Sequence, residues 1–193
     1  MLVSITESYF VGFGVFYLLG YLVSYSRKDS DTIFSPNIEA SMLLAVKWAG
    51  FLYLPILILE AFWNNEFSLV DDSYFAVINR MFGPYWFYFW LKPILFLVAT
   101  SFLWSKKVRA SRFTLLLIAF LLLFTHFLFD RISSLPLLNR DFLPSSWTII
   151  SKESFFERLL AFSCHLVIFA VSILIVSRLR REALFQKLKR HKG

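Results

Sequence analysis

The sequence predicts an all-α protein, a polytopic integral membrane bundle of about five transmembrane helices. Of the 193 residues, 58% are hydrophobic and 20% are aromatic, and the mean hydropathy is +0.65. Charged residues make up only 17%, against about 25% in typical soluble domains. These charges gather at the ends of apolar runs, and each run approaches the roughly 20 residues that a helix needs to cross a hydrocarbon core.

Five such runs are predicted to cross the membrane within a single domain: 9–25, 42–63, 85–104, 113–129 and 159–176. The first run carries Gly12, Gly14 and Gly20, and glycines allow membrane helices to approach closely. A polar linker, 26–40, follows, and Pro36 is expected to end any helix there. The second run contains Pro55, which is expected to bend its helix.

The third and fourth runs form a hairpin around a short basic turn. An acidic loop, 64–80, precedes this hairpin, and a long connection, 130–158, leads to the fifth run. The last residues, 177–193, are rich in Lys and Arg, so they predict a basic cytoplasmic tail that lies as a helix on the membrane surface.

The distribution of basic residues predicts the orientation of the chain. With the amino terminus outside, the cytoplasmic segments hold 13 of the 20 Lys and Arg residues and the external loops hold five. The opposite orientation would violate the positive-inside rule. The sequence therefore predicts an external amino terminus and a cytoplasmic carboxyl terminus.

Several chemical classes find no support in the sequence. The net charge of +7 is explained by membrane topology, so no nucleic-acid partner is expected, and membrane lipids are the first partner. Cys164 is the single cysteine, which excludes an intrachain disulfide and a cysteine metal cluster. No hydrolase constellation or phosphate loop is evident, and the catalytic residues, if the chain has any, stay unassigned.

Three ionisable side chains are candidates for a proton relay: Glu60, His126 and Asp130. His126 and Asp130 are four residues apart, so they share one helix face, and a carboxylate beside a histidine suits proton transfer. The structural alternative is a polar clamp at a helix end, with Glu60 reaching the headgroups. Lys47 and Lys92 are expected to snorkel towards the membrane surface.

Two histidines also allow a haem b site. His126 lies near the outer end of the fourth run, and His165 lies about two turns into the fifth. Because these runs are antiparallel, the two imidazoles are expected at similar depth and facing each other. No other metal constellation is present, and the expectation is that the chain binds no cofactor of its own.

Two polar, aromatic caps flank the hairpin at its outer ends. The side chains predicted to lie at an interface or near quinol are Asn79, Arg80, Tyr85, Trp86, Arg131, Asn139, Arg140 and Asp141. An aromatic belt accounts for the tryptophans. It does not account for Arg, Asn and Asp recurring beside proline on the side where Arg is scarce.

These segments resemble the polysulfide-reductase membrane-anchor family (NrfD/PsrC type), most closely the quinol-interacting subunit of bacterial alternative complex III. The resemblance covers roughly residues 60–180 and consists of short segments in the same order: INR at 78–80, FGPYW at 82–86, FLWSKKVR at 102–109, FDR at 129–131 and RDFLPSSW at 140–147. Family members contain two four-helix bundles, and this chain resembles only the later one. Asn139 stands where the motif often has histidine.

The resemblance implies a subunit of a respiratory complex that oxidises quinol in the bacterial inner membrane. It implies larger integral membrane subunits as partners, together with iron–sulfur and cytochrome subunits. Because the quinol contacts of the family lie mostly in the missing bundle, a non-catalytic role, structural or proton-conducting, is expected. The alternative function class is a small haem b anchor or an assembly factor for a membrane complex.

Overall fold

A computed structural model of the chain describes residues 2–27, 34–66, 78, 81–83, 86–133 and 155–190, and their secondary structure is helical without a strand. The long helices are α1 (Leu2–Arg27), α2 (Pro36–Glu66), α3 (Trp86–Ser101), α5 (Arg112–Ser133) and α6 (Phe155–Arg190). A 3₁₀ turn (Phe102–Trp104) and the five-residue α4 (Lys106–Ala110) join α3 to α5. The predicted helical class is confirmed.

Four of these helices are long and apolar enough to cross a membrane, namely α1, α2, α5 and α6. The third predicted span differs, because its apolar helix, Phe89–Trp104, is shorter. The 16 residues of α3 reach about 24 Å at 1.5 Å per residue. The three residues of the 3₁₀ turn add about 6 Å, and only together do they match a core of ~30 Å. The chain is a membrane-embedded helical protein.

Helix α1 occupies the centre of the bundle. It packs against α2, α5 and α6, while α3 closes the remaining side against α2 and α5. Phe10, Val11, Phe13 and Tyr17 of α1 are completely buried. By contrast, only 11% of the most apolar stretch of α6 is buried, against 44% for α1, so α6 lies at the periphery.

Glycines allow the closest helix contacts, as the sequence predicted for the first span. A Cβ on Gly12 would overlap the ring of Phe169 in α6, and a Cβ on Gly50 would overlap the side chain of Thr100 in α3. At Gly14 an added Cβ would stand 3.0 Å from the carbonyl oxygen of Ala119. Van der Waals packing of this kind is a main source of helix association in membranes.

The beginning of α1 corrects the predicted first span. The helix starts at Leu2, seven residues before the expected Tyr9, so Glu7 and Ser8 lie within it. The early polar residues are accommodated because their hydroxyls bond to carbonyls one turn back: Thr6 to Leu2 at 2.9 Å and Ser8 to Ser4 at 2.9 Å. Such local bonds satisfy a hydroxyl without a water molecule.

Two further boundaries differ from the prediction. Pro36 begins α2 and does not end a helix, as expected for a proline at the first helical position, where no N–H is needed. The carbonyl of Ser35 accepts the N–H groups of Ile38 and Glu39 at 2.9 and 3.1 Å. Helix α6 continues without a break from the apolar run through Arg190, so the basic residues after 177 extend the fifth helix.

The basic turn between α3 and α5 lies where the sequence placed it. The N–H of Ser105 donates to the carbonyl of Phe102 at 3.2 Å, and the N–H of Ser111 donates to Val108 at 3.2 Å. Ser111 directly precedes α5 and caps its first turn, since its Oγ accepts the backbone N–H of Thr114 at 3.4 Å. We call this end of the bundle the turn end; α1 begins at the opposite end.

Candidate functional site

A carboxylate lies inside the helical bundle, one turn after α1 begins. Glu7 is buried, and the Tyr53 hydroxyl of α2 donates to its Oε1 at 2.6 Å. Lys92 of α3 forms an ion pair with the same oxygen. The Nδ1 of His126, on α5, lies 3.3 Å from Oε2. Three other helices therefore direct a polar side chain at this one carboxylate.

The ring of His126 lies within ion-pair distance of the Glu7 carboxylate. The imidazole nitrogen is buried and makes no well-aligned hydrogen bond, although the carboxylate oxygen is within 3.3 Å. A protonated imidazole would be attracted to Glu7 at this distance. The geometry therefore brings Nδ1 of His126 within ion-pair distance of the Glu7 carboxylate.

A second histidine joins the carboxylate through His126. The rings of His126 and His165 meet edge to face, with centroids 5.6 Å apart and planes at 80°. The prediction that the two histidines lie at similar depth and face each other is thus confirmed. His165 belongs to α6, so each of the five long helices contributes a side chain.

Ser8 orients His165 from the central helix. Its Oγ lies 2.7 Å from Nδ1 of His165 and 2.9 Å from the carbonyl oxygen of Ser4, to which it donates. A hydroxyl has a single hydrogen. When the Ser8 hydroxyl donates this hydrogen to the Ser4 carbonyl, Ser8 can only accept a hydrogen bond from Nδ1–H of His165. The other ring nitrogen, Nε2, is then the one that can accept a proton. We call Glu7, Ser8, Tyr53, Lys92, His126 and His165 the polar centre.

Aromatic rings form an apolar wall beside the polar centre. Phe10 stacks on Phe96 with centroids 4.3 Å apart, and Phe96 meets the Tyr53 ring edge to face at 5.1 Å. Phe10 and Phe96 are completely buried and Tyr53 nearly so. An apolar, dry wall lowers the local dielectric, which strengthens charge interactions and makes an unpaired charge costly.

Glu60 acts on the first turn of α1. Its Oε2 accepts the backbone N–H of Val3 at 2.7 Å, which satisfies one of the N–H groups that a helix leaves free at its start. This bond joins residues 57 positions apart in the chain and fixes α1 against α2. The structure thus gives the predicted relay candidate a helix-positioning contact.

The sequence predicted that Asp130 is coupled to His126, but the structure places a different carboxylate beside this histidine. The carboxylate beside His126 comes from Glu7 of α1, and the Asp130 side chain is exposed. The one-turn spacing puts both residues on one face of α5, but Glu7 reaches the imidazole from the facing helix. A carboxylate on a neighbouring helix can meet the ring inside the bundle, where the cost of burial demands a partner.

Lys92 was also expected to behave differently. It points inward and pairs with Glu7, whereas the sequence predicted that it snorkels. A cation buried among helices gains more from a carboxylate partner than from a stretch towards the surface when one is within reach. Lys47 follows the expectation more closely, since its ammonium lies over the Trp104 ring near the turn end, 4.4 Å from the centroid.

Most of the predicted cap residues lie outside the described part of the chain. These are Asn79, Arg80, Tyr85, Asn139, Arg140 and Asp141. Arg131 belongs to α5, although its side chain lies outside the description. Trp86 is exposed at the start of α3, and its N–H donates to the carbonyl of Gly83 at 3.0 Å.

Sequence reasoning missed Glu7, Ser8 and Tyr53. Glu7 and Ser8 precede the first long apolar run, so they read as residues outside the membrane, and Tyr53 is one of eight tyrosines. The position of Lys92 within an apolar run could have indicated that a carboxylate lies inside the bundle. An ionisable residue within a span asks for an opposite charge, and Glu7 is the acidic residue nearest the start of the first run.

The two histidines are the residues that would hold a haem b. In the described residues no group of three or more His, Cys, Asp and Glu side chains is arranged to hold a metal ion. Glu7 and Ser8 approach Nδ1 of the two rings, and this leaves each Nε2 for another partner. However, the rings touch each other directly, and a macrocycle would have to part α5 from α6. The two rings are thus packed against each other, with Nδ1 of His126 facing Glu7 and Nδ1 of His165 facing Ser8.

Comparison with known proteins identifies no relative: no family model, curated protein or solved structure matches the chain. The family resemblance therefore stays a prediction from the short segments that carry it. The polar centre is consequently interpreted from its own chemistry.

Proposed function

We propose that the chain is a multi-pass membrane subunit whose polar centre takes up and transfers protons. The observation that carries this proposal is the convergence of Glu7, Lys92, His126 and His165 from four helices. Ionisable groups within a membrane bundle are costly, and they commonly mark ion or proton pathways. The proposal assigns no catalytic residue.

The order of the groups suggests a direction for the relay. Lys92 and Tyr53 hold the Glu7 carboxylate, and His126 stands between Glu7 and His165. Histidine exchanges protons near neutral pH more readily than any other side chain. A proton would pass from Glu7 to Nδ1 of His126, while Nε2 of His126 would release a proton to a bridging water molecule. That water would protonate Nε2 of His165, and Ser8 would keep this nitrogen as the acceptor by facing Nδ1.

A purely structural role would need fewer titratable groups. The ion pair of Glu7 with Lys92 alone neutralises both charges and ties α1 to α3. Adding two histidines brings further desolvation cost without another charge that needs a partner. Their proximity brings two further proton-accepting side chains next to the ion pair, which a structural role alone does not require.

Proton flux into liposomes tests the proposal. The full chain is reconstituted with the pH dye pyranine inside, and a potassium potential drives proton entry with valinomycin. We expect faster acidification than in empty liposomes, and Glu7→Gln is expected to reduce the flux about tenfold, within the range of a lost proton-transfer group. Glu39→Gln, at the opposite end of α2, is the matched control and should conduct as wild type. Flux equal to that of empty liposomes, or equal flux in both variants, would contradict the proposal.

We place this subunit in a quinol-oxidising respiratory complex of the bacterial inner membrane, with an external amino terminus. This assignment to a respiratory complex is supported by short segments that resemble the polysulfide-reductase membrane-anchor family, at 78–86, 102–109, 129–131 and 140–147. The chain would be a non-catalytic subunit beside larger membrane, iron–sulfur and cytochrome subunits, and the quinone would be bound by the complex. Purification of a tagged chain in mild detergent should recover these subunits in fixed proportion. Recovery of a partner only during assembly would indicate an assembly factor.

The contact between His126 and His165 is the observation behind the second candidate, a haem b anchor. A Soret band in the purified chain that is lost in His165→Ala would favour the anchor. Proton flux without a Soret band would favour the relay.

A further inference from the structure

Two basic side chains lie at the turn end of the bundle, away from the polar centre along the helices. Lys47 belongs to α2, and Arg109 belongs to α4 in the basic turn. The ammonium of Lys47 lies over the ring of Trp104, which precedes Arg109 by five residues in that turn. The Nε of Arg109 is buried and has no hydrogen-bond partner.

Neither cation is neutralised within the described residues. Lys47 contacts the face of the Trp104 ring, 4.4 Å from the centroid, and no described carboxylate forms an ion pair with it or with Arg109. A buried donor without a partner costs free energy. An anion bound at this end of the bundle would pair with the guanidinium of Arg109 and with the ammonium of Lys47.

The surroundings indicate where such an anion would come from. Trp104 meets Trp48 edge to face with centroids 6.1 Å apart, and both rings are about half exposed. Tryptophan with one wet and one apolar side is typical of the headgroup level of a membrane. Lys106 and Lys107 are exposed in the same turn and add positive potential there.

We propose that Lys47 and Arg109, beside Trp104, form a binding site for the phosphate of an anionic phospholipid. Arg109 would present its guanidinium fork to two phosphate oxygens, which is the geometry that arginine recognises best. Lys47 would supply a second positive charge from the neighbouring helix. Trp48 and Trp104 would cover the glycerol region, and they make a lipid a better occupant than a soluble phosphate ion.

Native mass spectrometry of the full-length protein tests this site. The protein is released from micelles that contain equal amounts of phosphatidylglycerol and phosphatidylcholine, and the retained lipids are counted by mass. We expect one phosphatidylglycerol to be retained preferentially. Lys47→Gln and Arg109→Gln should each lower that retention about tenfold, as expected for the loss of a charge-assisted contact. Arg109→Lys, which keeps the charge but lacks the fork, should give an intermediate value.

Arg178→Gln is the matched control, because Arg178 is an exposed arginine in the last part of α6. It should retain the lipid as wild type does. An unchanged thermal transition in detergent would show that each variant keeps its fold. Equal retention of the two lipids, or wild-type retention in both Lys47→Gln and Arg109→Gln, would overturn the proposal. Displacement of phosphatidylglycerol by millimolar inorganic phosphate would assign the site to a soluble anion and overturn the lipid assignment.

Discussion

Glu7 is the residue through which the polar side chains of the bundle are connected. Its two oxygens face Tyr53 and Lys92 on one side and His126 on the other. A carboxylate surrounded by apolar helices needs this many partners, since desolvation of a charge costs several kcal/mol even after relaxation. The arrangement also makes the energetic role of each partner measurable.

Removing the ammonium of Lys92 should leave Glu7 as an unpaired charge. We expect Lys92→Gln to lower the free energy of unfolding by roughly 3 kcal/mol, the lower end of the range for breaking a buried ion pair, because Lys92 is partly exposed. The double variant Glu7→Gln with Lys92→Gln should recover part of this loss, because no unpaired charge remains. Thermal unfolding in detergent measures both.

The exposed Lys107 provides the control for that series. Lys107→Gln should unfold within about 0.5 kcal/mol of wild type, as surface substitutions usually do. A double variant less stable than Lys92→Gln by the full cost of Glu7→Gln would show that the two residues act independently, and the ion pair would then have no energetic role.

The histidines show how far sequence reasoning reaches at this scale. His126 and His165 could be paired because their positions within two antiparallel runs fix their depth. The carboxylate beside His126 could not be found in this way. The one-turn spacing pointed to Asp130, while the rotation of α1, which brings Glu7 inward, depends on close packing at Gly12 and Gly14.

At the scale of the helices, backbone proximity determines which side chains can meet. The contact of α2 with α3 has no room for a Cβ at Gly50, because Thr100 fills that space. Thr100 itself bonds to the carbonyl of Phe96 at 2.7 Å, within its own helix. This contact places α3 beside α2, and with it Lys92 beside Tyr53.

A double-mutant cycle tests this contact. Gly50→Ala should destabilise the protein by about 1–3 kcal/mol through overpacking. Thr100→Ala alone should have a smaller effect, and Gly50→Ala with Thr100→Ala should recover much of the loss because the methyl gains room. Additive losses in thermal unfolding would contradict the described approach of α2 to α3.

Helix boundaries were the least predictable elements. The positions of the five long helices follow from apolar runs. The early start of α1 does not, because Ser4, Thr6, Glu7 and Ser8 resemble a polar leader. Their partners are local carbonyls and distant side chains, which hydropathy does not reveal.

For the whole molecule, orientation in the membrane is the property with the simplest test. In a Cys164→Ser background, cysteines at Ser73 and Ser151 are expected to react with an impermeant maleimide in intact cells. A cysteine at Ser105, in the turn that joins α3 to α4, is expected to be protected until the cells are opened. This pattern is expected from the positive-inside rule, which predicts that the basic turn is cytoplasmic. Labelling of Ser105→Cys in intact cells would reverse the orientation.

The peripheral position of α6 determines which surface the whole molecule presents to its surroundings in the membrane. Much of its apolar surface is exposed, Leu160 and Val167 among others, whereas His165 on the same helix faces the polar centre. In a membrane, lipid or a neighbouring subunit covers the exposed apolar surface, and α6 needs no polar partner there.

The central claim, that Glu7, His126 and His165 act as one proton-exchanging unit, is tested most directly by nitrogen NMR of the imidazoles. The chain has only three histidines, so ¹⁵N-histidine labelling in lipid nanodiscs reports the Nδ1 and Nε2 signals of three rings, with His191 as the internal reference. The account predicts that Glu7→Gln shifts the ring signals of His126 and His165 together and leaves that of His191 unchanged. Signals of His126 and His165 that stay at their wild-type positions, or that move independently of each other, would contradict it.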